Sequence, residues 1–205
     1  MSEIYDADYF LRGKESGKSL YSDYRWMPDL TIPMVKRIIA HLGIQEADYV
    51  LDFGSARGYT VKALRELGYY GWGIDASAWA IDNCDPAVRN YVDLSDKVVA
   101  KYDWIIAKDV LEHVNGVQAC IDNLCNRAQK GVFAVVPLSL FDGSPYIVSA
   151  YEEDVTHIHR LSLGTWAGMF MRPEWAVTGA YRMAGVKDNY ASWERGNGFL
   201  TARRI

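Results

Sequence analysis

Tyr49-Val50-Leu51-Asp52-Phe53 is a run of strand formers that stops at Gly54-Ser55-Ala56-Arg57-Gly58, after which Val61, Leu64 and Leu67 recur at helical spacing up to Gly68. A buried strand, a tight glycine turn and an amphipathic helix follow from those periods. The pattern then repeats. Tyr70 to Asp75 reads as a second strand and Ala76 to Cys84 as a second helix. Arg89 to Val92 reads as a weak third strand, and Tyr102 to Ala107 as a fourth. Val117, Ile121, Leu124 and Ala128 mark a further helix, followed by a fifth strand from Gly131 to Val136. Strands alternating with helices at this spacing predict βαβ units and a parallel sheet covered on both faces, an α/β fold of Rossmann-like type. The last third departs from the alternation. A helix over Leu163 to Phe170 precedes two strands, Trp175 to Ala180 and Phe199 to Arg203, with no helix between them, which predicts an antiparallel pair at one edge.

Upstream, Thr31 is the expected N-cap of a helix that tolerates Pro33 in its first turn. Met34, Val35, Ile38, Ile39 and Leu42 form its apolar face, and Gly43 ends it. Residues 1–30 are crowded with Tyr, Asp and Gly and lack periodicity, so they read as a lid or cap segment on a single domain spanning 31–205. A length of 205 residues fits one domain with a substantial core. Half the residues are apolar and 23% are charged, which excludes a disordered chain. The formal charge of -4 disfavours a nucleic-acid partner. No apolar run reaches membrane-helix length, and Met1-Ser2-Glu3 opens no signal region, so no membrane partner and a cytoplasmic location are expected. Cys84, Cys120 and Cys125 form no Cys-x-x-Cys pair and are expected as reduced thiols.

The glycine turn sits between a strand and a helix, and that context gives it chemical meaning. Gly54 permits positive φ and close approach of a ligand, while Gly58 lets the helix start against the sheet. Asp75 closes the next strand roughly twenty residues on, where an acid accepts hydrogen bonds from ribose hydroxyls. A nucleoside cofactor site follows. A nicotinamide site asks for Gly-x-Gly-x-x-Gly, whereas Ala56 stands at the second glycine and no third glycine follows. Asp52 beside a pyrophosphate sets two negative charges together, but it suits a cationic ligand. No Tyr-x-x-x-Lys pair is present either.

The stretch Val50 to Gly58 with Gly73-Ile74-Asp75 resembles the first two motifs of class I S-adenosylmethionine-dependent methyltransferases. Tyr102-Asp103-Trp104-Ile105-Ile106-Ala107-Lys108-Asp109-Val110-Leu111-Glu112-His113-Val114 is similar to the fourth-strand motif of that family's small-molecule branch. Asp154-Val155-Thr156-His157-Ile158 followed by Trp166 also resembles that branch. The resemblance runs from about Thr31 to the C-terminus and departs at Ala56, where most members have glycine. It implies a seven-stranded, mostly parallel sheet with an antiparallel last strand. It implies S-adenosylmethionine as cofactor and S-adenosylhomocysteine as product. Carried over by position, Asp52 holds the methionine amino group, and Gly54, Ser55, Ala56 and Gly58 pass the methionine part. Asp75 with Ala76 takes the ribose, Asp93 and Leu94 meet the adenine, and Lys108 and Asp109 line the methionine side. Tyr24 and Arg25 belong to the lid, where aromatics close over the cofactor and Arg25 meets its carboxylate.

For such chemistry the protein supplies alignment and a dry pocket, and a hydroxyl acceptor needs a base. His157 is the expected base, with an unperturbed pKa near 6.5 that suits the role. Glu112 and His113 are read mainly as packing or capping residues. His157 and His159 share a face of an extended segment with Asp154 nearby, yet no metal is expected. The partner is a small-molecule methyl acceptor, bearing a hydroxyl or an amine on a sugar, a lipid head or a secondary metabolite. The chain is expected as monomer or homodimer. Two alternatives stand beside this reading: a nicotinamide-dependent oxidoreductase, and a non-catalytic module that keeps the cofactor as a structural ligand.

Overall fold

The computed structural model describes residues 2–188 and 191–205. Its centre is a seven-stranded sheet ordered β3-β2-β1-β4-β5-β7-β6. The strands are β1 (Tyr49–Phe53), β2 (Tyr70–Asp75), β3 (Val92–Leu94), β4 (Tyr102–Lys108), β5 (Ala128–Pro137), β6 (Trp175–Ala180) and β7 (Asn197–Arg204). β1 to β5 pair in parallel, and β7 runs antiparallel to both β5 and β6. The expected edge pair is present.

Among the described residues, α-helices accompany the sheet as α1 (Ala7–Leu11), α2 (Gly13–Ser16), α3 (Pro28–Leu42), α4 (Tyr59–Glu66), α5 (Ala78–Asp82), α6 (Val117–Arg127) and α7 (Leu163–Phe170). Successive side chains of a strand point to opposite faces, so the apolar runs of β1 and β4 divide between two cores. Leu51, Phe53, Ile105 and Ala107 pack with Ile121 and Leu124 of α6 and Trp166 and Phe170 of α7. Val50, Trp104 and Ile106 pack with Val35, Ile38 and Leu42 of α3 and Ala63 and Leu64 of α4. Burial on both faces explains why these strands read as continuous apolar runs rather than alternating ones.

Several boundaries differ from the sequence reading; Ala128, read as marking the helix after Val117, opens β5 instead. α3 starts at Pro28, not after Thr31, because a proline at the first helical position loses no hydrogen bond there. Thr31 lies inside the first turn, its N–H donating to the Met27 carbonyl at 2.9 Å. The third strand is Val92–Leu94. The stretch Pro86–Tyr91 is instead a 3-10 helix, capped by Asp85, whose side chain accepts from Ala87 N. Arg89 to Tyr91, read as strand, belong to that helix, and Val88 and Val92 bring the two elements into one small core with Val61 and Cys84. The three cysteines are free thiols. Among the described residues, no helix is long and apolar enough to cross a membrane.

Candidate active site

Strand order reverses between β1 and β4, since β1 is followed in space by β2 on one side and by β4 on the other. Open α/β sheets bind ligands at such a switch point, outside the carboxyl ends of the strands. A cleft of about 1450 Å³ opens there. Its floor is the turn after β1. Gly54 has φ +79° and Ala56 φ +48°. Ala56 therefore keeps the left-handed backbone that glycine adopts more easily, and its methyl group lies among the aromatics Tyr9 and Phe10. The turn is tied to β2, with Gly54 N and Ser55 N donating to the Ile74 carbonyl at 2.9 and 3.0 Å.

Asp75 is held by that turn. Its Oδ2 accepts from Ala56 N at 2.7 Å and its Oδ1 from Ser77 N at 2.8 Å. Each oxygen keeps a further acceptor position, the number that two vicinal hydroxyls require. Burial raises the Asp75 pKa, and the backbone donors oppose the rise. Asp52, on the last turn of β1, is 5% exposed. Burial pushes its carboxyl up to about 7, against a hydrogen bond from Thr60 and the charge of Lys108. The buried Ser55 hydroxyl has no partner among the described residues. A half-ionised acid, an unpartnered hydroxyl and an acid with spare acceptor positions line one cleft. That set fits a ligand carrying an ammonium, a carboxylate and a ribose.

At the end of β4, Asp109 adopts φ +53° and accepts from Lys108 Nζ at 2.6 Å and Lys187 Nζ at 2.7 Å. Burial favours its neutral form, but the two ammonium groups outweigh burial and hold the carboxyl well below the usual carboxylate range. Both lysines are thereby committed to Asp109.

The N-terminal segment forms the cleft's other wall. Phe10 stacks on Trp79 at 5.4 Å and Tyr24 on Tyr59 at 5.2 Å between ring centroids. Arg57 Nη1 donates to the Tyr24 carbonyl at 3.0 Å, and the Ser77 hydroxyl donates to the Tyr5 carbonyl at 2.6 Å. Arg25 lines the cleft while pairing with Asp23 at 2.6 Å.

Most residues singled out in the sequence meet here. Tyr24, Arg25, Asp52, Gly54, Ser55, Ala56, Asp75, Ala76, Leu94, Lys108 and Asp109 all line the cleft. Gly58 and Asp93 do not. Gly58 is buried against Val88 and Val92, which a Cβ there would meet at 2.8 and 3.1 Å, so its role is to let α4 start close to the sheet. Ser95 and Asp96 line the cleft beyond β3 where Asp93 was expected to do so.

His157 stands behind the wall. Its Nδ1 is 2.8 Å from the Tyr151 carbonyl, and the rings of Tyr146 and His113 pack on it at 5.5 and 4.7 Å. His113, read as a packing residue, is the histidine on the cleft surface, with Tyr5, Tyr9 and Thr156 beside it. Burial, reinforced by His157, lowers the His113 pKa to about 4. Glu112 is 1% exposed, and burial together with the charge of Asp109 raises its carboxyl to about 8. No sequence signal separated His113 from His157, because the segment carrying His157 folds back over the turn after β4 through contacts distant in the chain. Ile158 N donating to the Glu112 carbonyl at 3.0 Å is one of them. His159 turns away, its Nε2 2.7 Å from the Val114 carbonyl, so the trio Asp154, His157 and His159 does not converge.

A family model described as a methyltransferase domain matches residues 25–177. No curated protein matches the sequence. Among solved structures, the magnesium protoporphyrin IX methyltransferase of Synechocystis PCC 6803 with bound SAH superposes with a TM-score of 0.62 at 15% identity. The match covers 85% of this chain and 83% of that one. A SAM-dependent methyltransferase from Archaeoglobus fulgidus gives 0.64 at 16% identity, covering 87% and 95%. The plantazolicin methyltransferase in complex with a triazolic desmethyl analogue and SAH gives 0.60 at 10% identity, covering 84% and 82%. At these identities the likeness is one of fold.

Proposed function

The chain belongs to the methyltransferase-domain family matched over residues 25–177, and from that premise we propose that it transfers a methyl group from S-adenosylmethionine to an oxygen or nitrogen of a small molecule. S-adenosylhomocysteine is the second product. The observation that carries the reading is Asp75, fixed by Ala56 N and Ser77 N at the mouth of β2 with acceptor positions to spare, beside the buried Asp52. The similar folds named as methyltransferases of a porphyrin and of plantazolicin support a small-molecule acceptor.

When bound, the cofactor supplies an electrophilic methyl group on a sulfonium. The chain's own residues bind and align. Asp52 takes the ammonium of the methionine part, the Ser55 hydroxyl and Arg25 take its carboxylate, and Asp75 takes both ribose hydroxyls. Leu94, Ser95 and Asp96 face the adenine. The aromatic segment of Tyr9, Tyr21 and Tyr24 keeps water out, which strengthens each of these contacts. The acceptor lies on the side of the cleft lined by Tyr5, Tyr9, His113 and Thr156. Its proton leaves toward His113, with His157 and Glu112 packed behind that ring. His157 then acts through His113 and is a positioning residue.

Asp52 makes cofactor affinity depend on pH. Its carboxyl titrates near 7 in the free protein, and only the carboxylate attracts an ammonium. The proton competes with the ligand, so affinity for S-adenosylhomocysteine falls as pH drops through 7. Between pH 8 and pH 6 the ionised share, and with it the affinity, decreases about tenfold. Isothermal titration across that range measures it, and Asp52→Asn flattens the dependence. A wild-type affinity constant from pH 6 to 8 would remove Asp52 from the ammonium.

The reaction itself is tested by mass spectrometry of an acceptor panel incubated with S-adenosylmethionine. Hydroxyl- or amine-bearing small molecules gain one methyl mass while S-adenosylhomocysteine accumulates. Cofactor bound tightly yet never consumed, across a broad panel, would instead identify a non-catalytic module.

A further inference from the structure

We propose that Glu112, His113 and His157 form a binding site for one divalent transition-metal ion of the zinc class, set in the acceptor wall of the cleft. The three residues come from two distant stretches, the 3-10 turn Leu111–His113 after β4 and the segment 154–158. One ligand atom from each lies within 4.8 Å of the others. His113 Nε2 and His157 Nε2 are each 3.9 Å from Glu112 Oε1.

The hydrogen bonds assign both tautomers. The Tyr151 carbonyl only accepts, so the His157 Nδ1 that touches it at 2.8 Å carries the proton. The Thr156 hydroxyl donates to the Asp154 carboxylate, so its oxygen accepts from His113 Nδ1 at 2.8 Å. Each ring is left with a bare lone pair on Nε2, and both lone pairs converge on a carboxylate. Glu112 Oε2 is buried and has no hydrogen-bond partner among the described residues. At 3.9 Å neither Nε2 is hydrogen-bonded to the Glu112 carboxyl, so both lone pairs and the buried carboxyl oxygens are open to a cation, which displaces the carboxyl proton as it binds.

Among the described residues no side chain supplies that cation. Lys108 and Lys187, which approach Glu112 most directly in charge, are both bound to Asp109. Arg160 is paired with Glu152 at 2.6 Å. Metal-binding histidines characteristically give their second ring N–H to a carbonyl or a carboxylate-linked group, which is the arrangement of Tyr151 and of Thr156 with Asp154. Asp154 is itself fixed by the Tyr9 hydroxyl at 3.0 Å. Two imidazoles and one carboxylate favour zinc, iron, cobalt or nickel over calcium and magnesium, which prefer all-oxygen shells.

Tetrahedral zinc sites with ligand bonds of about 2.0–2.2 Å separate their ligand atoms by about 3.4 Å. The two 3.9 Å spacings to Glu112 therefore contract by roughly half an ångström, while the histidine pair starts from within 4.8 Å. Three protein ligands leave a fourth position open; an ion there occupies the His113 Nε2 lone pair, so the ion-bound form would not use His113 as the base for an acceptor. That consequence rests on the function proposed above; metal binding does not.

The test is a titration of chelator-stripped protein with Co²⁺, followed by visible absorption, with S-adenosylhomocysteine affinity measured on the same preparations. The wild type is expected to bind one equivalent and to develop the intense bands of low-coordinate cobalt. Glu112→Gln keeps the side-chain shape and His113→Gln changes a residue on the cleft surface. Each is expected to weaken Co²⁺ binding at least tenfold. His159→Ala, outside the cluster, titrates as the wild type does. A wild-type spectrum showing only aqueous Co²⁺, or equal binding in the wild type and both glutamine variants, overturns the site. Should a variant misfold, the wild-type stoichiometry and the other variant decide. A wild type that binds S-adenosylhomocysteine but no Co²⁺ refutes the metal site alone, and a wild type that binds Co²⁺ but no S-adenosylhomocysteine refutes the cofactor reading alone.

Discussion

Asp75→Ala weakens S-adenosylhomocysteine binding by roughly 10- to 150-fold, because charged hydrogen bonds of this kind contribute about 1.5–3 kcal/mol. Asp75 is the one acid in the cleft whose geometry is set by the glycine turn itself, through Ala56 N at 2.7 Å and Ser77 N at 2.8 Å. Removing it deletes the ribose acceptors and also frees two backbone donors, so the turn keeps only its backbone ties from Gly54 N and Ser55 N to the Ile74 carbonyl. Asp75→Asn separates the two effects. Its amide oxygen still accepts from one backbone N–H, while its amide nitrogen replaces an acceptor with a donor on the ribose side. The asparagine variant keeps one of the two backbone hydrogen bonds and is expected to fold, with a smaller stability loss than the alanine variant, and to bind S-adenosylhomocysteine at least tenfold more weakly. Unchanged affinity in both variants, measured by isothermal titration, would take Asp75 out of the site.

Gly54→Ala is expected to destabilise the protein by about 2–4 kcal/mol. A left-handed backbone costs an alanine about 1 kcal/mol, and overpacking adds about 1–3 kcal/mol. Gly54 has φ +79°, and a Cβ there would meet Val110 Cγ2 at 2.5 Å and Val110 Cβ at 2.8 Å. At this chain length the loss lowers Tm by roughly 5–15 °C. Val110 cannot yield freely, since its neighbour Asp109 is locked between Lys108 and Lys187 and the next three residues form the turn that carries Glu112 and His113. The clash therefore reaches both the cofactor floor and the acceptor wall. Gly68→Ala is the control: its φ is +87° with nothing within 4 Å of the added carbon, so only the backbone cost of about 1 kcal/mol remains. Equal melting temperatures for the two variants would show that Val110 moves aside without cost.

The parallel core was legible in the sequence because its physics is local. β1, β2 and β4 are short apolar runs bounded by glycine or acid, and α3, α6 and α7 carry apolar stripes at helical spacing. Arg89 to Val92 was expected as a strand, but Pro86 with the Asp85 cap opens a 3-10 helix that runs to Tyr91 and leaves only Val92 of that stretch in β3. On the cofactor side, spacing sufficed to name Asp52, Gly54 and Asp75, which line the cleft floor and mouth. Asp93 was one register position away from the residues that line it.

The acceptor side was not legible. His113 and His157 lie far apart in the chain, on the turn after β4 and on segment 154–158, and which of them faces the cleft depends on how that segment docks. That docking is fixed by Thr156, Asp154 and Tyr9, three polar residues from two segments whose pairing carries no periodic signal. The turn after β4 likewise places Glu112 inside rather than at the surface because Asp109 adopts a left-handed backbone, which nothing in the residue pattern announces.

A thermal-shift titration with S-adenosylmethionine, S-adenosylhomocysteine and NADH side by side tests the central claim most directly. A ligand at about 100 times its Kd adds about 2.7 kcal/mol, which for this length raises Tm by roughly 5–10 °C. A cleft built from Asp52, Ser55 and Asp75 for a cationic nucleoside gives that rise with both adenosyl-sulfur ligands and none with NADH. A rise with NADH alone would contradict the methyltransferase reading and return the site to nicotinamide chemistry.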